Sequence, residues 1–331
     1  MTETQTNRPK DHPLFQQKLK AWKPILTFKD ASIFFFVTGV IVLAIGIAIF
    51  IPDSKVQEYS VDYTECTNSV TNATCSDQTN IYSGNCTCTK SLQISSDIQA
   101  PVYFYYGISN FYQNHRQLIK SYDMNQLMGL SPNADNCAPV YKNNDGKTYA
   151  PCGQMANAMF NDSFLLLKDN DQVPWSSINI SLYSDKNRYG TPSSWSDTVP
   201  PPNWRTPVYQ RSSNAYVGYE ELMVWMRPAA LPKFRKLYRI LTNNGSFSNG
   251  LPAGNYTLNI NYAYPVKSFD GQKFFIVTNL SWIGGKNSAI GILYLITGCI
   301  EFVIGIVLVI LQIKYPTKPN RETSFDMSSY L

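Results

Sequence analysis

Two uninterrupted apolar stretches bracket a long polar middle, and that pattern decides more about this chain than any other feature. Ile33–Ile51 (IFFFVTGVIVLAIGIAIFI) carries no charge, and as a helix it crosses about 28 Å, close to the hydrocarbon thickness of a bilayer. Ala289–Ile313 is longer still, with Glu301 as its only charge. Both predict membrane-spanning helices. Between them the period changes. From Tyr256 to Tyr264, Tyr256, Leu258, Ile260, Tyr262 and Tyr264 alternate with Thr257, Asn259, Asn261 and Ala263, which predicts a half-buried antiparallel strand. Pro265 and Asp270-Gly271 mark a turn, and Lys273–Trp282 reads as the partner of that strand. Pro232 followed by Phe234, Leu237, Tyr238 and Leu241 predicts a short amphipathic helix. Residues 189–207, with Pro192, Pro200, Pro201, Pro202 and Pro207, read as a loop.

The predicted organisation follows: an arm over 1–32, a first span over 33–51, a folded segment over 52–288, a second span over 289–313 and a tail over 314–331. The first apolar run starts too late, is too long and lacks a small-residue cleavage site for a removable signal peptide, so it should remain as a signal anchor.

Charge sets an expected orientation. Arg8, Lys10, Lys18, Lys20, Lys23 and Lys29 outweigh Glu3, Asp11 and Asp30 before the first span, whereas Asp53, Lys55, Glu58 and Asp62 leave an acidic balance after it. Positive flanks stay in the cytosol, which places both termini there, and Lys314, Lys318 and Arg321 agree. N-x-S/T acceptors at Asn72, Asn85, Asn161, Asn179, Asn244, Asn255 and Asn279 all fall in the segment so placed outside. So do Cys66, Cys75, Cys86, Cys88, Cys137 and Cys152, an even set that reads as three disulfides; Cys299 lies in the second span. Cys86 and Cys88 are too close to bond each other without strain, so each should reach back to Cys66 or Cys75. A Cys137–Cys152 bond would close a loop contributing about 3 kcal/mol in the chain-entropy picture. With no CxxC spacing and His115 as the one histidine of that segment, no metal site is expected.

Glycine recurs every seven residues in both spans, at Gly39 and Gly46 and at Gly291, Gly298 and Gly305. Nearly two helical turns separate successive members, so each set lines one face on which another helix can approach closely in lipid. Glu301 flanks that line, and a carboxylate facing lipid costs several kcal/mol, so this face is expected to meet protein.

Catalytic motifs fail on inspection. Gly146-Lys147-Thr148 resembles the end of a phosphate loop, but Tyr141 stands where its first glycine belongs. Asp169-Asn170-Asp171 fits the D-x-D of lumenal glycosyltransferases but sits in a turn. His115 has no G-x-S-x-G elbow to serve, and is read as a structural hydrogen-bonding group.

Several blocks together resemble a known family. They are Phe15-Gln16-Gln17-Lys18-Leu19 with Trp22–Thr27, Tyr105–Ile119 (YYGISNFYQNHRQLI), Ala150–Asp162 (APCGQMANAMFND), Val224–Leu241 (VWMRPAALPKFRKLYRIL) and Ser281–Asn287 (SWIGGKN). Over nearly its whole length the chain is similar to the transmembrane protein 30, or cell-division-control and ligand-effect-modulator, family of accessory beta subunits of type IV P-type ATPases. The resemblance implies a membrane protein with two transmembrane helices and a large α+β, mainly antiparallel β, disulfide-bonded ectodomain. It implies the pairs Cys66–Cys88, Cys75–Cys86 and Cys137–Cys152. It also implies a non-catalytic subunit, without cofactor, that forms a heterodimer with a phospholipid-translocating ATPase. That subunit would support the folding, endoplasmic-reticulum export and aminophospholipid transport of the ATPase in secretory and endosomal membranes, in contact with phospholipids and not with nucleic acid. Phe15, Gln16, Gln17, Trp22, Gly291, Gly298, Glu301 and Gly305 are the expected partner contacts. A homotrimeric two-span ligand-gated channel shares the topology and is the competing expectation.

Overall fold

The computed structural model describes residues 11–16, 19, 27–77, 86–130, 134–212 and 214–316. It divides into two compact units, one of Pro52–Lys286 and one holding the two long helices with the terminal residues. Phe28–Ser54 overruns its predicted span by a few residues at each end, and Ser288–Lys314 overruns its own by a single residue at each end. Only 11% of the most apolar window of each is buried, which is the opposite of a core helix in a water-soluble domain. The chain is a two-span membrane protein.

The middle unit is mainly antiparallel β. In chain order its strands are β1 (Glu58–Asp62), β2 (Cys86–Ile94), β3 (Ile98–Gln99), β4 (Val102–Ile108), β5 (Thr148–Tyr149), β6 (Ser163–Lys168) and β7 (Asp171–Gln172). They continue with β8 (Trp175–Ser176), β9 (Thr198–Val199), β10 (Phe234–Leu241), β11 (Gly250–Leu251), β12 (Gly254–Tyr262) and β13 (Lys273–Asn279). One sheet runs β1-β13-β4-β10-β8 and another β2-β12-β6-β7; β3 pairs with β11, and β5 with β9. The inward faces of the two large sheets share one core. Phe164 of β6 meets Phe275 of β13 at 4.9 Å between ring centroids and Tyr238 of β10 at 5.1 Å.

The predicted strand at Tyr256 is β12, with Tyr256, Leu258, Ile260 and Tyr262 buried. Its neighbours differ from the expectation. The Lys273–Trp282 segment contributes β13, which pairs with β1 and β4 in the other sheet, while β12 pairs with β2 and β6. The link between them is a short helical turn at Lys267–Phe269 with Asp270 left-handed at φ 54°, so the chain crosses between sheets instead of folding back. The expected amphipathic helix after Pro232 is strand β10. A register shift between Leu237 and Arg239 breaks its alternation, burying Lys236, Tyr238 and Leu241, and that broken spacing imitates a helical one. Residues 189–207 are largely loop, with β9 as a two-residue exception.

Period two also explains the first two disulfides. Cys86 and Cys88 alternate with exposed Thr87 on β2, so both sulfurs point inward, where Cys66 and Cys75 lie on adjacent backbone joined by a Cys75 N–H to Cys66 carbonyl bond of 2.8 Å. The bonds formed are Cys66–Cys88, Cys75–Cys86 and Cys137–Cys152.

At the heart of the unit lies an ion pair with no exposure to solvent. Lys273 Nζ donates to Asp162 Oδ2 at 2.7 Å and to the Tyr264 carbonyl at 2.7 Å, and sits 3.0 Å from the centre of the Tyr262 ring. Tyr63 donates its hydroxyl to the same carboxylate, and the backbone N–H groups of Ala263 and Tyr264 donate to Asp162 Oδ1. Burial pulls the Lys273 ammonium down against the attraction of Asp162. Every group is satisfied, so the network clasps β13 to the loop that follows β12. Lys273→Met should therefore strand a buried carboxylate and destabilise the chain by about 3–5 kcal/mol. Asp162→Asn combined with Lys273→Met should cost less than the sum of the two single changes. Thermal unfolding of the four purified proteins checks this, and additive losses would show that the two groups act separately.

Candidate partner interface

The two long helices pack against each other through the glycines. Large side chains of one helix meet glycines of the other in alternation: Phe36 on Gly305, Phe302 on Gly39, Leu43 on Gly298, Leu295 on Gly46 and Phe50 on Gly291. The order reverses between the helices, so the pair is antiparallel. The approach is close enough that a Cβ built on Gly298 would lie 2.6 Å from Leu43 Cγ and 3.2 Å from the Leu43 backbone nitrogen. The neighbour that Gly291, Gly298 and Gly305 meet is thus the chain's own first helix, because the two small-residue lines are matched in register. Glu301 flanks the seam beside Gly39, and its Oε2 is buried with no hydrogen-bond partner among the described residues. Cys299 is a free, exposed thiol on the outer side of the helix.

Outside the seam both helices present Ile, Val, Leu and Phe, such as Phe34, Val37, Ile41, Leu293, Ile300 and Val303. In the arm, Leu14, Phe15 and Leu19 are exposed and His12 lies edge-on to Phe15. Gln16 donates its backbone N–H to the His12 carbonyl at 3.0 Å. Gln17 and Trp22, also expected as contacts, lie outside the described residues.

The quoted blocks of the middle unit are occupied with architecture. In the Ala150–Asp162 block, Cys152 is disulfide-bonded and Gly153 adopts φ 101° with the Ser121 carbonyl where a Cβ would sit. The Met155 and Ala156 carbonyls accept the indole N–H groups of Trp225 and Trp204 at 2.8 and 2.7 Å. In the Tyr105–Ile119 block, buried Gln113 accepts from Ala229 N–H and donates to the Trp225 carbonyl. In the Val224–Leu241 block, Lys236 Nζ donates to the Val224 and Arg227 carbonyls at the end of the helix Glu220–Met226, and burial pushes its pKa down to about 8.

The motifs weighed for catalysis have structural explanations. Asp169 and Asn170 are the two left-handed central residues, at φ 49° and 70°, of the tight hairpin joining β6 to β7. His115 precedes the short helix Arg116–Lys120, is exposed and makes no side-chain cap bond, so it is not the hydrogen-bonding brace expected of it. Among the described residues no cluster of His, Cys, Asp and Glu could hold a metal ion. One cleft of about 260 Å³ lies between Tyr122, Leu127, Tyr189, Met223 and Arg227, and a wider one of about 630 Å³ between Asp97, Gln99, Ser248 and Pro252.

The expected glycan acceptors separate by accessibility. Asn72, Asn179, Asn244 and Asn255 are exposed, whereas Asn161 and Asn279 are half-buried. Asn161 Oδ1 is enclosed with no hydrogen-bond partner among the described residues, and Asn279 Oδ1 accepts from the Gln57 N–H at 2.9 Å. Asn85 lies outside the described residues.

A pair of glycine-packed membrane helices at the two ends of a disulfide-braced β domain defines a two-span membrane protein. Residues 49–318 match the LEM3 (ligand-effect modulator 3) family / CDC50 family, and the chain belongs to it. It is 38% identical to mouse Cell cycle control protein 50A over 95% of this chain and 92% of that protein. It is 36% identical to human Cell cycle control protein 50B over 93% of this chain and 95% of the relative. With the Saccharomyces cerevisiae "Phospholipid-transporting ATPase accessory subunit CRF1" it shares 32% identity over 98% of this chain and 92% of the relative.

Gly298→Leu should force the helix pair apart, at a cost of about 1–3 kcal/mol from overpacking. Spin labels at exposed Val40 and Val303 should then report a longer and broader distance distribution. An unchanged distribution would show that the seam tolerates the side chain.

Proposed function

We propose that this chain is the non-catalytic accessory subunit of a phospholipid-translocating P-type ATPase, bound to it as a heterodimer. The observation that carries the reading is similarity along nearly the full length to a yeast protein named as such a subunit. The structure supports it with exposed apolar helix faces outside a self-satisfied seam. In this reading the ATPase performs phosphorylation and transport, of aminophospholipids among its substrates. The accessory chain supports the folding of the ATPase, its departure from the endoplasmic reticulum and its activity.

The glycines contribute indirectly, by presenting the outer faces of a pre-paired helix hairpin. Glu301 is assigned directly: its buried, unpartnered oxygen accepts a hydrogen bond from a donor on an ATPase helix. Phe15, Gln16, Gln17 and Trp22 are assigned to the cytosolic body of the ATPase. Both termini are cytosolic, on the balance of basic residues flanking the spans, and residues 52–288 are lumenal or extracellular in secretory and endosomal membranes, where disulfides persist.

Purification in mild detergent should recover a much larger ATPase with this chain. Glu301→Leu should reduce that recovery several-fold, while Glu301→Gln, which still accepts a hydrogen bond, should retain most of it. Recovery of the chain alone, or as a homotrimer, would overturn the assignment.

Glycopeptide mapping should find glycans at Asn72, Asn179, Asn244 and Asn255, with Asn161 and Asn279 unmodified. A chain with no glycan at any exposed acceptor would overturn the orientation.

A further inference from the structure

Among the tryptophans of the described residues, Trp175, Trp195, Trp204 and Trp225 are half-buried or buried; only Trp282 is exposed, at 76%. Ile283 beside it is 44% exposed, and the exposed Lys286 follows. This is not a loose loop. Ser281 N–H donates to the Gly284 carbonyl at 2.8 Å, Gly284 N–H returns a bond to the Ser281 carbonyl at 3.0 Å, and the Ser281 hydroxyl adds a third at 3.1 Å. Gly284 adopts φ 131°, a conformation that strains any other residue. Gly285 leaves room for Arg235, whose Nη2 lies 2.2 Å from the position a Cβ would take. Arg235 is itself fixed by Glu58 at 2.6 Å and lies over the Tyr105 ring at 5.1 Å. The turn is therefore braced from behind while an indole and a branched aliphatic stand out from its front.

Chain connectivity says what meets them. The last helix begins at Ser288, six residues after Trp282, a reach of at most about 20 Å. The first long helix ends at Ser54, and β1 begins at Glu58 only about 13 Å of extended chain later. Glu58 pairs with Thr278 at the end of β13 that leads into the turn. Both tethers are thus short, and both join this same edge of the sheet to a membrane-crossing helix. An indole with an apolar body and one N–H belongs at headgroup level, and a lysine beside it suits lipid phosphate.

We propose that the Trp282–Ile283 turn docks in the headgroup–acyl boundary of the membrane that the two long helices cross, fixing the middle domain against the bilayer surface. The proposal rests on the two-span architecture and is independent of which partner the chain binds.

The test uses the full chain, with whatever partner co-purifies, in vesicles of phosphatidylcholine and phosphatidylserine. Tryptophan emission is compared between wild type and Trp282→Phe; the difference reports this indole alone, and phenylalanine at an exposed position leaves folding intact. Lipid brominated near the top of the acyl chain should reduce the difference emission by more than half, while aqueous iodide leaves it nearly unchanged. Quenching by iodide in place of bromolipid would overturn the proposal in favour of exposure to water. Emission insensitive to both quenchers would overturn it in favour of cover by a protein partner.

Discussion

A chain that crosses a bilayer at both ends must fold the segment between so that its first and last strands leave from one edge. Pairing of β1 with β13 meets that constraint, with Glu58 opposite Thr278 and Asp62 opposite Phe274. Around this ladder the Gln57 carbonyl accepts from the Thr278 hydroxyl and the Asn279 backbone N–H, and Asn279 Oδ1 accepts in turn from the Gln57 N–H. The Asp162–Lys273 clasp then fastens the other end of β13 to the second sheet. Strand β13 thus joins the edge from which the chain enters and leaves the domain to the second sheet.

Much of this was legible in the sequence, and the failures share a cause. The disulfide pairs were implied only by the family resemblance, whereas the membrane helices and β12 were carried by local pattern, which a single segment displays. Which strand β13 would join was not, because pairing between distant segments leaves no trace in either one. The β10 region was misread for a subtler reason: a bulge shifts an alternating pattern by one residue, and the result matches a helical spacing over one or two turns. The glycine lines identified the correct faces but not their occupant. Small residues on one helix say that something comes close, and only the complementary Phe36, Leu43 and Phe50 on the other say what. The Asp162–Lys273 pair gave no signal at all, since its members lie far apart in the chain and neither belongs to a spacing motif.

The family's blocks divide by what they build. Those around Gln113, Met155 and Trp225 converge on one another through buried hydrogen bonds, which gives their polar groups a structural task. The Ser281–Asn287 block behaves differently, spending two glycines and an arginine to hold apolar groups outward. Polar residues at the core and apolar ones at the surface invert the usual arrangement, and each inversion marks a constraint stronger than solvent preference.

The place of β13 in the chain orders events during synthesis. Strand β1 follows directly on the first long helix, whereas its only neighbour in the five-stranded sheet comes just ahead of the second. A nascent chain therefore carries an open strand edge through translation of nearly the whole domain, and edges of that kind invite wrong partners. Closure of the sheet therefore waits until the segment just ahead of the second long helix has been made.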